Sequence, residues 1–272
     1  MVVQHNLTAM NSNRMLGVTT STQAKSTEKL SSGYKINRAA DDAAGLAISE
    51  KMRRQIRGLT QAATNAQDGI SCVQTAEGAL AEVHDMLQRI NELAVQSANG
   101  TNMTTDRGYI NKEVSNLRQE IDRIANSVTF NEQKLLNGSF ANKTLQIGSE
   151  ATDGFSITIA KMNASGLGIT EANCDVSTAD KAKSTIGTVK SALEAVSNQR
   201  AELGAVQNRL EHTVSNLNNV VENTTAAESR IRDTDMASEM VKYTNNNVLA
   251  QAGTAMLAQA NQSNQNVLSL LQ

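Results

Sequence analysis

A repeating apolar pattern between residues 52 and 94 constrains the fold of this chain more than any other feature. Apolar residues recur there at steps of four and three in near-strict alternation: Met52, Ile56, Leu59, Ala63, Ala66, Ile70, Val73, Ala76, Leu80, Val83, Leu87, Ile90 and Ala94. An alternation kept for about six heptads is typical of one face of a long coiled-coil helix. We therefore predict a helix over about residues 45–98, which at about 1.5 Å per residue spans about 80 Å.

Two further stripes of the same kind follow along the chain. One runs from residue 110 to 128 and the other from 186 to 221, which predicts helices over about residues 103–128 and 183–230. A short loop, "SANGTN" with Gly100 as a helix stop, joins the first two helices, so we expect them to lie antiparallel. The predicted fold class is mainly α: an elongated antiparallel bundle of long helices with coiled-coil packing.

Composition agrees with thin helical packing rather than with a thick core. The chain contains no proline, the residue that most often kinks helices. Phe, Tyr and Trp make up only 2% of the residues although 39% are hydrophobic, and aromatic side chains supply much of the area that a rounded core buries. Long helices that meet along narrow apolar seams account for both observations.

The segment between the second and third stripes predicts a small β-hairpin at about residues 140–162. The stretches "TLQIG" and "FSITIAKM" alternate apolar and polar residues, and "GSEATDG" between them is rich in turn formers. The residues that follow predict a loop, with Ser177 or Thr178 as the candidate N-cap of the next helix.

The two ends, residues 1–34 and 236–272, are rich in Asn, Gln, Ser and Thr and carry weaker helical stripes. The stripe residues are Leu7, Met10 and Val18 in the first segment and Met240, Val248, Ala252, Met256 and Val267 in the second. The last stretch, "NQNVLSLLQ", adds Leu268, Leu270 and Leu271 where a monomer leaves them uncovered. Helices this polar form mainly when a partner covers their apolar stripe, so we expect both ends to be held in an assembly.

Catalytic and metal-binding patterns do not emerge from the sequence. The three histidines, His5, His84 and His212, are far apart and match no ligand spacing, and we find neither a Gly-rich phosphate loop nor a nucleophile elbow. Cys72 lies beside an apolar seam, which predicts a buried structural residue, whereas Cys174 lies in the predicted loop, which predicts an exposed thiol. We expect neither an enzyme nor a bound cofactor or metal.

Charge gives no general attraction to nucleic acid or to a membrane, because 25 basic and 27 acidic residues leave a net charge of −2. No window is apolar for long enough to span a bilayer, and the first residues lack the layout of a secretory signal. We therefore expect a reduced cytosolic protein or one exported without the usual signal. The basic cluster "EKMRRQIRG" predicts either a solvated helix face or contacts between subunits, with Asp41 and Asp42 as opposite charges.

Five stretches of the sequence, taken together, resemble bacterial flagellin. They are "NRAADDAAGLAISEKMRRQIRGL", "MLQRINELAVQSANGTN", "LRQEIDRIANSVTFNEQKLLNG", "ESRIRDTDMASEM" and "LAQAGTAMLAQANQSNQNVLSLLQ". The resemblance extends to about residue 140 and resumes at about residue 183. The segment between is short, so the chain is similar to a minimal flagellin without a large outer domain.

The resemblance implies a structural subunit that self-assembles into the extracellular flagellar filament used for motility. It implies secretion through the flagellar type III apparatus, with an export chaperone and the cap and junction proteins as partners. It also implies that the N- and C-terminal helices pair in an inner-tube domain, residues 1–42 and 233–272. Residues 43–182 and 183–232 then form the rod domain.

The resemblance further implies recognition of the rod domain by the host flagellin-sensing Toll-like receptor. The family's central receptor contacts fall on Arg89 and Leu93 in "QRINELAVQ" and on Glu113 in "INKEV". Gln88 and Ile110 are expected neighbours in that patch. The residues expected to build the filament core are Leu7, Met10, Val248, Met256, Val267, Leu268, Leu270 and Leu271.

Two alternative functions stay open at this point. A hook–filament junction protein shares the terminal helices but resembles "LQRINELAVQSAN" more weakly. A coiled-coil signalling or chaperone protein that does not polymerise accounts for the seams, but not for the hairpin or for the two terminal stripes. An enzyme is disfavoured, because the middle of the chain is too short for a catalytic insert.

Overall fold

The computed structural model describes residues 6–269, with side chains for residues 6–263. The described part contains the helices α1 (Leu7–Ser32), α2 (Ala43–Ala98), α3 (Thr104–Ser127), α4 (Ala179–Arg232) and α5 (Met236–Ser269) and the strands β1 (Thr129–Phe130), β2 (Gln133–Lys134), β3 (Lys143–Gln146) and β4 (Gly154–Ile157). This confirms the predicted class, a long-helix fold with a small β region. Residues up to 56 and from 222 onward form one compact unit, and residues 57–221 form a second.

In the first, terminal unit, α1 and α5 pack against each other antiparallel. Asn6 Nδ2 donates to the carbonyl oxygen of Ala260 (3.0 Å), and Ser26 Oγ donates to Glu239 Oε1 (2.6 Å). The start of α1 therefore lies beside the later part of α5, and the end of α1 beside the start of α5. The expected pairing of the N- and C-terminal helices is confirmed.

The connections at the ends of these two helices also run side by side in the terminal unit. Gly33 ends α1 with φ +76, a left-handed conformation that glycine adopts without strain. Its carbonyl accepts a hydrogen bond from the backbone N–H of Thr234 (3.0 Å), and the N–H of Lys35 donates to the carbonyl of Arg232 (2.6 Å). The α1–α2 and α4–α5 connections thus hold each other in place.

In the second, central unit, the predicted seams form one hydrophobic core. Leu80, Leu87 and Ile90 of α2 are fully buried, and so are Leu203 and Leu210 of α4. Two contacts between each pair of helices show how the helices run. On α4, Arg200 lies 3.7 Å from Glu77 of α2, and Leu210 lies beside Gly69 of α2. On α3, Arg107 donates to the carbonyl of Ser97 of α2, and Glu113 lies 2.9 Å from Arg89 of α2. Because higher numbers on α2 meet lower numbers on α4, these two helices are antiparallel, as α2 and α3 are.

The predicted hairpin consists of β3 and β4, paired antiparallel with Leu145 opposite Phe155. A second, smaller hairpin, β1 with β2, was not predicted. Its two turn residues, Asn131 and Glu132, have φ values of 46° and 63°, the left-handed region used in two-residue hairpin turns. Glutamate is an uncommon residue in this conformation, so the dipeptide gives no recognisable turn signal.

Residues 158–178, which we call the strap, cover the core of the central unit without regular secondary structure. The backbone N–H of Met162 donates to the carbonyl of Leu136 (2.9 Å), and that of Ala164 donates to Asp122 Oδ1 (2.8 Å). The strap buries apolar side chains at irregular spacing: Ile159, Met162, Ala164, Leu167, Ile169 and Val176. At its end Thr178 Oγ1 accepts from the N–H of Lys181 (3.4 Å), which selects Thr178 as the N-cap of α4.

None of the helices within residues 6–269 contains an apolar stretch long enough to cross a lipid bilayer.

Candidate functional site

The contact between α1 and α5 is made mainly by small and polar residues, together with a few larger apolar ones. Positions that are at least half-buried repeat at steps of three and four and face the other helix. They include Ala9, Ser12, Leu16, Thr19, Gln23 and Ser26 on α1, and Glu239, Tyr243, Asn246, Ala250, Gly253, Leu257 and Ala260 on α5. We call these positions the inner seam. A seam of this kind buries little apolar area, so it contributes little hydrophobic stabilisation by itself.

Apart from Leu16, Tyr243 and Leu257, most of the larger apolar side chains of the two helices are exposed and lie outside the inner seam. Leu7, Met10 and Val18 are 69%, 63% and 59% exposed, and Val248 and Met256 are 60% and 62% exposed. We call these five the outer apolar residues. The structure thus places the described residues of both predicted stripes where another molecule can reach them.

The other four residues expected in the filament core lie beyond the described side chains. Val267 and Leu268 lie in α5 beyond the last described side chain, and Leu270 and Leu271 lie outside the described residues.

A buried carboxylate lies at the start of the α1–α5 contact. Glu239 accepts a hydrogen bond from Ser26 Oγ and lies 3.4 Å from the Nζ of Lys242. The hydrogen bond from Ser26 lowers the pKa of Glu239, and the positive charges of Lys242 and Lys29 lower it further against the effect of burial. One feature of the sequence marks this residue, since Glu239 is the single acidic residue in α5.

The basic cluster of α2 contributes to a packed arrangement around Tyr34. The guanidinium groups of Arg53 and Arg232 lie 5.9 and 4.7 Å from the centre of the Tyr34 ring, within range of a cation–π interaction. Arg232 also donates to Glu50 Oε1 (2.6 Å). Arg53 is therefore neither a purely solvated residue nor evidence for a nucleic-acid surface.

The two aspartates considered as partners for the basic cluster have local roles instead. Asp41 accepts from the backbone N–H groups of Arg38 (3.1 Å) and Asn37 (3.3 Å), and Asp42 accepts from that of Gly45 (2.9 Å). The hydrogen bond from Arg38 is the main reason that the pKa of Asp41 is lowered. Both carboxylates thus stabilise the turn and the first residues of α2.

A second surface, in the central unit, contains the residues expected to contact a receptor. Arg89 Nη2 lies 2.9 Å from Glu113 Oε1, and Arg89 Nη1 lies 3.1 Å from Glu92 Oε2. These hydrogen bonds, the one to Glu113 first, raise the pKa of the guanidinium. Arg89 and Glu113 remain half exposed and so are open to a partner.

The other three residues of the expected receptor patch differ in position. Gln88 is exposed beside Arg89, and its Nε2 lies 2.9 Å from His84 Nε2. Ile110 is half-buried against the core. Leu93 is only 2% exposed and belongs to the core itself, so a direct contact through its side chain does not fit this arrangement.

Both cysteines are buried, one as predicted and one not. Cys72 packs in the core of the central unit, as its place beside the seam predicts. The prediction of an exposed Cys174 thiol is wrong, because the strap folds onto the core and leaves this residue 5% exposed. Burial raises the pKa of Cys174 to about 11. Across residues 6–269, the His, Cys, Asp and Glu side chains form no cluster of three suited to a metal ion.

Comparison with known proteins assigns both ends of the chain to one family. Residues 3–141 match the bacterial flagellin N-terminal helical region, and residues 186–271 match the bacterial flagellin C-terminal helical region. Between them, these two ranges leave out residues 142–185, which contain the β3–β4 hairpin, the strap and the first residues of α4.

Relatives and solved structures agree with this assignment. The chain is 53% identical to a flagellin of Halalkalibacterium halodurans over 271 residues, and 53% identical to a 31.3 kDa flagellar filament core protein of Treponema maltophilum over 286 residues; each alignment covers all of both chains. It is also similar to the crystal structure of Bacillus cereus flagellin, with 29% identity, a TM-score of 0.50, and coverage of 57% of this chain and 88% of that one. The chain therefore belongs to the bacterial flagellin family.

Proposed function

We propose that this chain is a structural subunit that polymerises with copies of itself into the bacterial flagellar filament. The observation that carries the proposal is the arrangement of α1 and α5, which pack small and polar residues against each other and leave the outer apolar residues exposed. Fully burying one large aliphatic side chain stabilises an association by about 1.5–3 kcal/mol. Several such side chains on each subunit supply a driving force for assembly that the isolated chain cannot use.

The relatives favour the filament over the alternatives. One full-length relative is named as a filament core protein and another as flagellin, and flagellins are a family of structural proteins. A hook–filament junction protein also needs terminal helices, but the alignment to a flagellin covers the whole chain, including the short middle. A non-polymerising coiled-coil protein gives no reason to keep the outer apolar residues exposed.

The finer parts of the proposal rest on family membership. The chain is secreted through the flagellar type III apparatus, meets an export chaperone beforehand, and assembles at the filament end with the cap and junction proteins. Residues 1–42 and 233–272 form the inner tube of the filament, and residues 43–232 form the rod domain. Contact between subunits then covers the outer apolar residues and the final segment.

Seeded elongation tests this function. Filament fragments are mixed with purified full-length chain, with a chain that lacks residues 264–272, and with the double variant Val248→Asn/Met256→Gln, and growth is measured by electron microscopy. We expect the full-length chain to elongate the seeds, the truncated chain not to, and the double variant to elongate them about tenfold less or worse. Met103→Gln is the matched control, because Met103 is also exposed (72%) but lies in the central unit.

If the truncated chain and the double variant both elongated the seeds at the rate of the full-length chain, the terminal helices would have no role in assembly. If no chain elongated the seeds, the junction or coiled-coil alternatives would replace the filament.

We further propose that the host flagellin-sensing Toll-like receptor binds the surface formed by Gln88, Arg89 and Glu113. The support is the ion pair between Arg89 and Glu113, which holds two half-exposed charged groups at a fixed spacing on adjacent helices. Ile110 lies at the edge of this surface. Leu93 acts from the core, where it positions the helix that carries Arg89.

Receptor binding by Arg89→Ala and Glu113→Ala tests this second proposal. We expect each substitution to weaken binding by about tenfold or more, because arginine contacts at the centre of an interface are among the costly ones to remove. Arg123→Ala is the control, since Arg123 forms a comparable exposed ion pair with Glu120 on α3. Equal affinity of all variants would place the receptor contact on another surface.

A further inference from the structure

The exposed apolar surface of the terminal unit is rich in methionine. Among the described side chains of α1 and α5, ten large apolar residues are exposed. Half of them are methionines, which we call the terminal methionines: Met10 (63% exposed), Met15 (58%), Met236 (48%), Met240 (53%) and Met256 (62%). Methionine is more often a buried residue, so this surface presents an unusual number of thioether groups to the solvent.

The methionines of the central unit are placed differently. Met162 is 4% exposed, and Met86 packs half-buried against the core. Met103 is the exception, since it lies between α2 and α3 and is 72% exposed. The terminal unit therefore contains five of the six methionines that are exposed among the described side chains.

Two of the terminal methionines line a groove between α1 and α5 whose surface is mainly apolar. Its lining residues are Thr27, Leu30, Ser31, Met236, Met240 and Tyr243. An oxygen atom added to either thioether would place a polar group on this surface. Once a neighbouring molecule covers it, a polar group without a hydrogen-bond partner is costly.

The two cysteines are poor competitors for an oxidant. A thiol reacts with peroxide as the thiolate, and Cys72 and Cys174 are each only 5% exposed. Burial raises the pKa of Cys72, and it raises the pKa of Cys174 to about 11. A thioether needs no deprotonation, so its exposure decides how readily it reacts. The exposed methionines are therefore the sulfur groups most open to peroxide in the described part of the chain.

We propose that the terminal methionines are a modification site at which hydrogen peroxide converts the free chain into a form that does not assemble. The inference rests on the proposed function and deepens it, because it assigns a chemical control to the same surface. In the reaction the sulfur lone pair attacks one peroxide oxygen, and an S–O bond forms as the O–O bond breaks. The sulfur is oxidised by two electrons, and the other oxygen leaves with both hydrogens as water.

The product opposes assembly for a physical reason. Methionine sulfoxide is polar and chiral, and it disrupts contacts that depend on the flexible, apolar thioether. The change is reversible, because two methionine sulfoxide reductases, one for each epimer, restore the thioether. Since contact with neighbouring subunits covers this surface, the modification acts on the chain before assembly rather than on the finished filament.

Seeded elongation after oxidation tests the proposal. Purified chain is treated with dilute hydrogen peroxide, the peroxide is removed, and elongation of filament seeds is measured by electron microscopy. We expect the oxidised chain to elongate seeds about tenfold more slowly or worse than the untreated chain, and treatment with both reductases to restore the rate.

A leucine variant and a matched control identify the methionines responsible. The variant Met10→Leu/Met15→Leu/Met236→Leu/Met240→Leu/Met256→Leu keeps a similar apolar volume at each position and should elongate seeds equally before and after peroxide. Met103→Leu removes the exposed methionine of the central unit and should stay as sensitive to peroxide as the unchanged chain.

Competition within one sample tests the proposal without any substitution. A partly oxidised pool of the unchanged chain is offered to seeds, and sulfoxide at each methionine is measured by mass spectrometry in the filaments and in the chains left in solution. We expect sulfoxide at the terminal methionines to be depleted about fivefold or more from the filaments, and sulfoxide at Met103 to be similar in both fractions. Met162 should stay unoxidised, which verifies that the central unit remains folded.

Undiminished elongation by the oxidised chain would overturn the proposal, and so would an equal loss in the leucine variant. Equal sulfoxide at the terminal methionines in the two fractions of the competition would also overturn it. Failure of the proposed function is distinguishable, since the untreated chain would then not elongate the seeds at all.

Discussion

At the scale of single residues, burial decides the chemistry of Cys174. In the sequence it lies in a glycine-containing loop that predicts exposure. In the structure the strap places this residue in the core. Burial and the negative charge of Asp175 raise the pKa of the thiol, whereas the positive charge of Arg118 lowers it. Because burial dominates, the thiol holds its proton to about pH 11. A thiol in this state is a poor nucleophile, so the residue is structural.

The raised pKa of Cys174 predicts a loss of stability at alkaline pH. An unperturbed cysteine releases its proton near pH 9.0, whereas Cys174 does so at about 11. Between these values the unfolded chain binds fewer protons than the folded one, so the stabilisation is complete below about pH 9 and is lost as the pH rises to 11. The loss is on the order of 2–3 kcal/mol.

Urea unfolding of the full-length chain and of Cys174→Ala at pH 8 and at pH 10.5 measures this effect. The substitution shifts stability at both pH values, but only the unchanged chain should show the additional alkaline loss. An identical pH dependence in the two proteins would contradict the assignment.

At the scale of elements, the periodic pattern predicts where the helices lie better than it predicts what covers each apolar face. The predicted ranges 45–98, 103–128 and 183–230 lie within a few residues of α2, α3 and α4. The reason is that apolar residues at steps of three and four over several heptads fall on one face only in an α-helix. The stripes of α1 and α5 were found too, but a single sequence does not show whether a partner within the chain or another molecule covers them. The β1–β2 turn and the strap lacked any local pattern, since their conformations depend on contacts distant in sequence.

Two glycines of α2 provide a matched test of how the hairpin docks on this helix. A Cβ atom built on Gly69 overlaps Leu145 Cδ1 of β3 and lies 3.3 Å from Leu210 Cδ1 of α4, whereas one built on Gly78 meets nothing within 4 Å. Gly69→Ala should therefore destabilise the chain by about 1–2 kcal/mol through overpacking. Gly78→Ala should stabilise it by up to about 1 kcal/mol through helix propensity.

Thermal or urea unfolding of the two variants measures both changes in stability. Stabilisation by both substitutions would show that Leu145 moves aside without cost, and that the close approach of the hairpin to α2 is not a packing constraint.

At the scale of the whole molecule, the two compact units use their apolar residues differently. The central unit buries its seams in a core of its own, helped by the strap and the hairpins. The terminal unit pairs two helices through a seam poor in large apolar groups and exposes the outer apolar residues instead. In the proposed filament, this exposed hydrophobic surface is the part of the subunit that meets other copies of the chain.

Methionine footprinting in the free chain and in the assembled filament tests this account most directly. Met10 and Met256 are 63% and 62% exposed, and Met162 of the strap is 4% exposed. With dilute peroxide as the probe and mass spectrometry as the readout, we predict that Met10 and Met256 oxidise readily in the free chain and at least about fivefold more slowly in the filament. Met162 should be protected in both states. Equal oxidation of Met10 and Met256 in the two states would contradict the claim that neighbouring subunits cover the outer apolar residues.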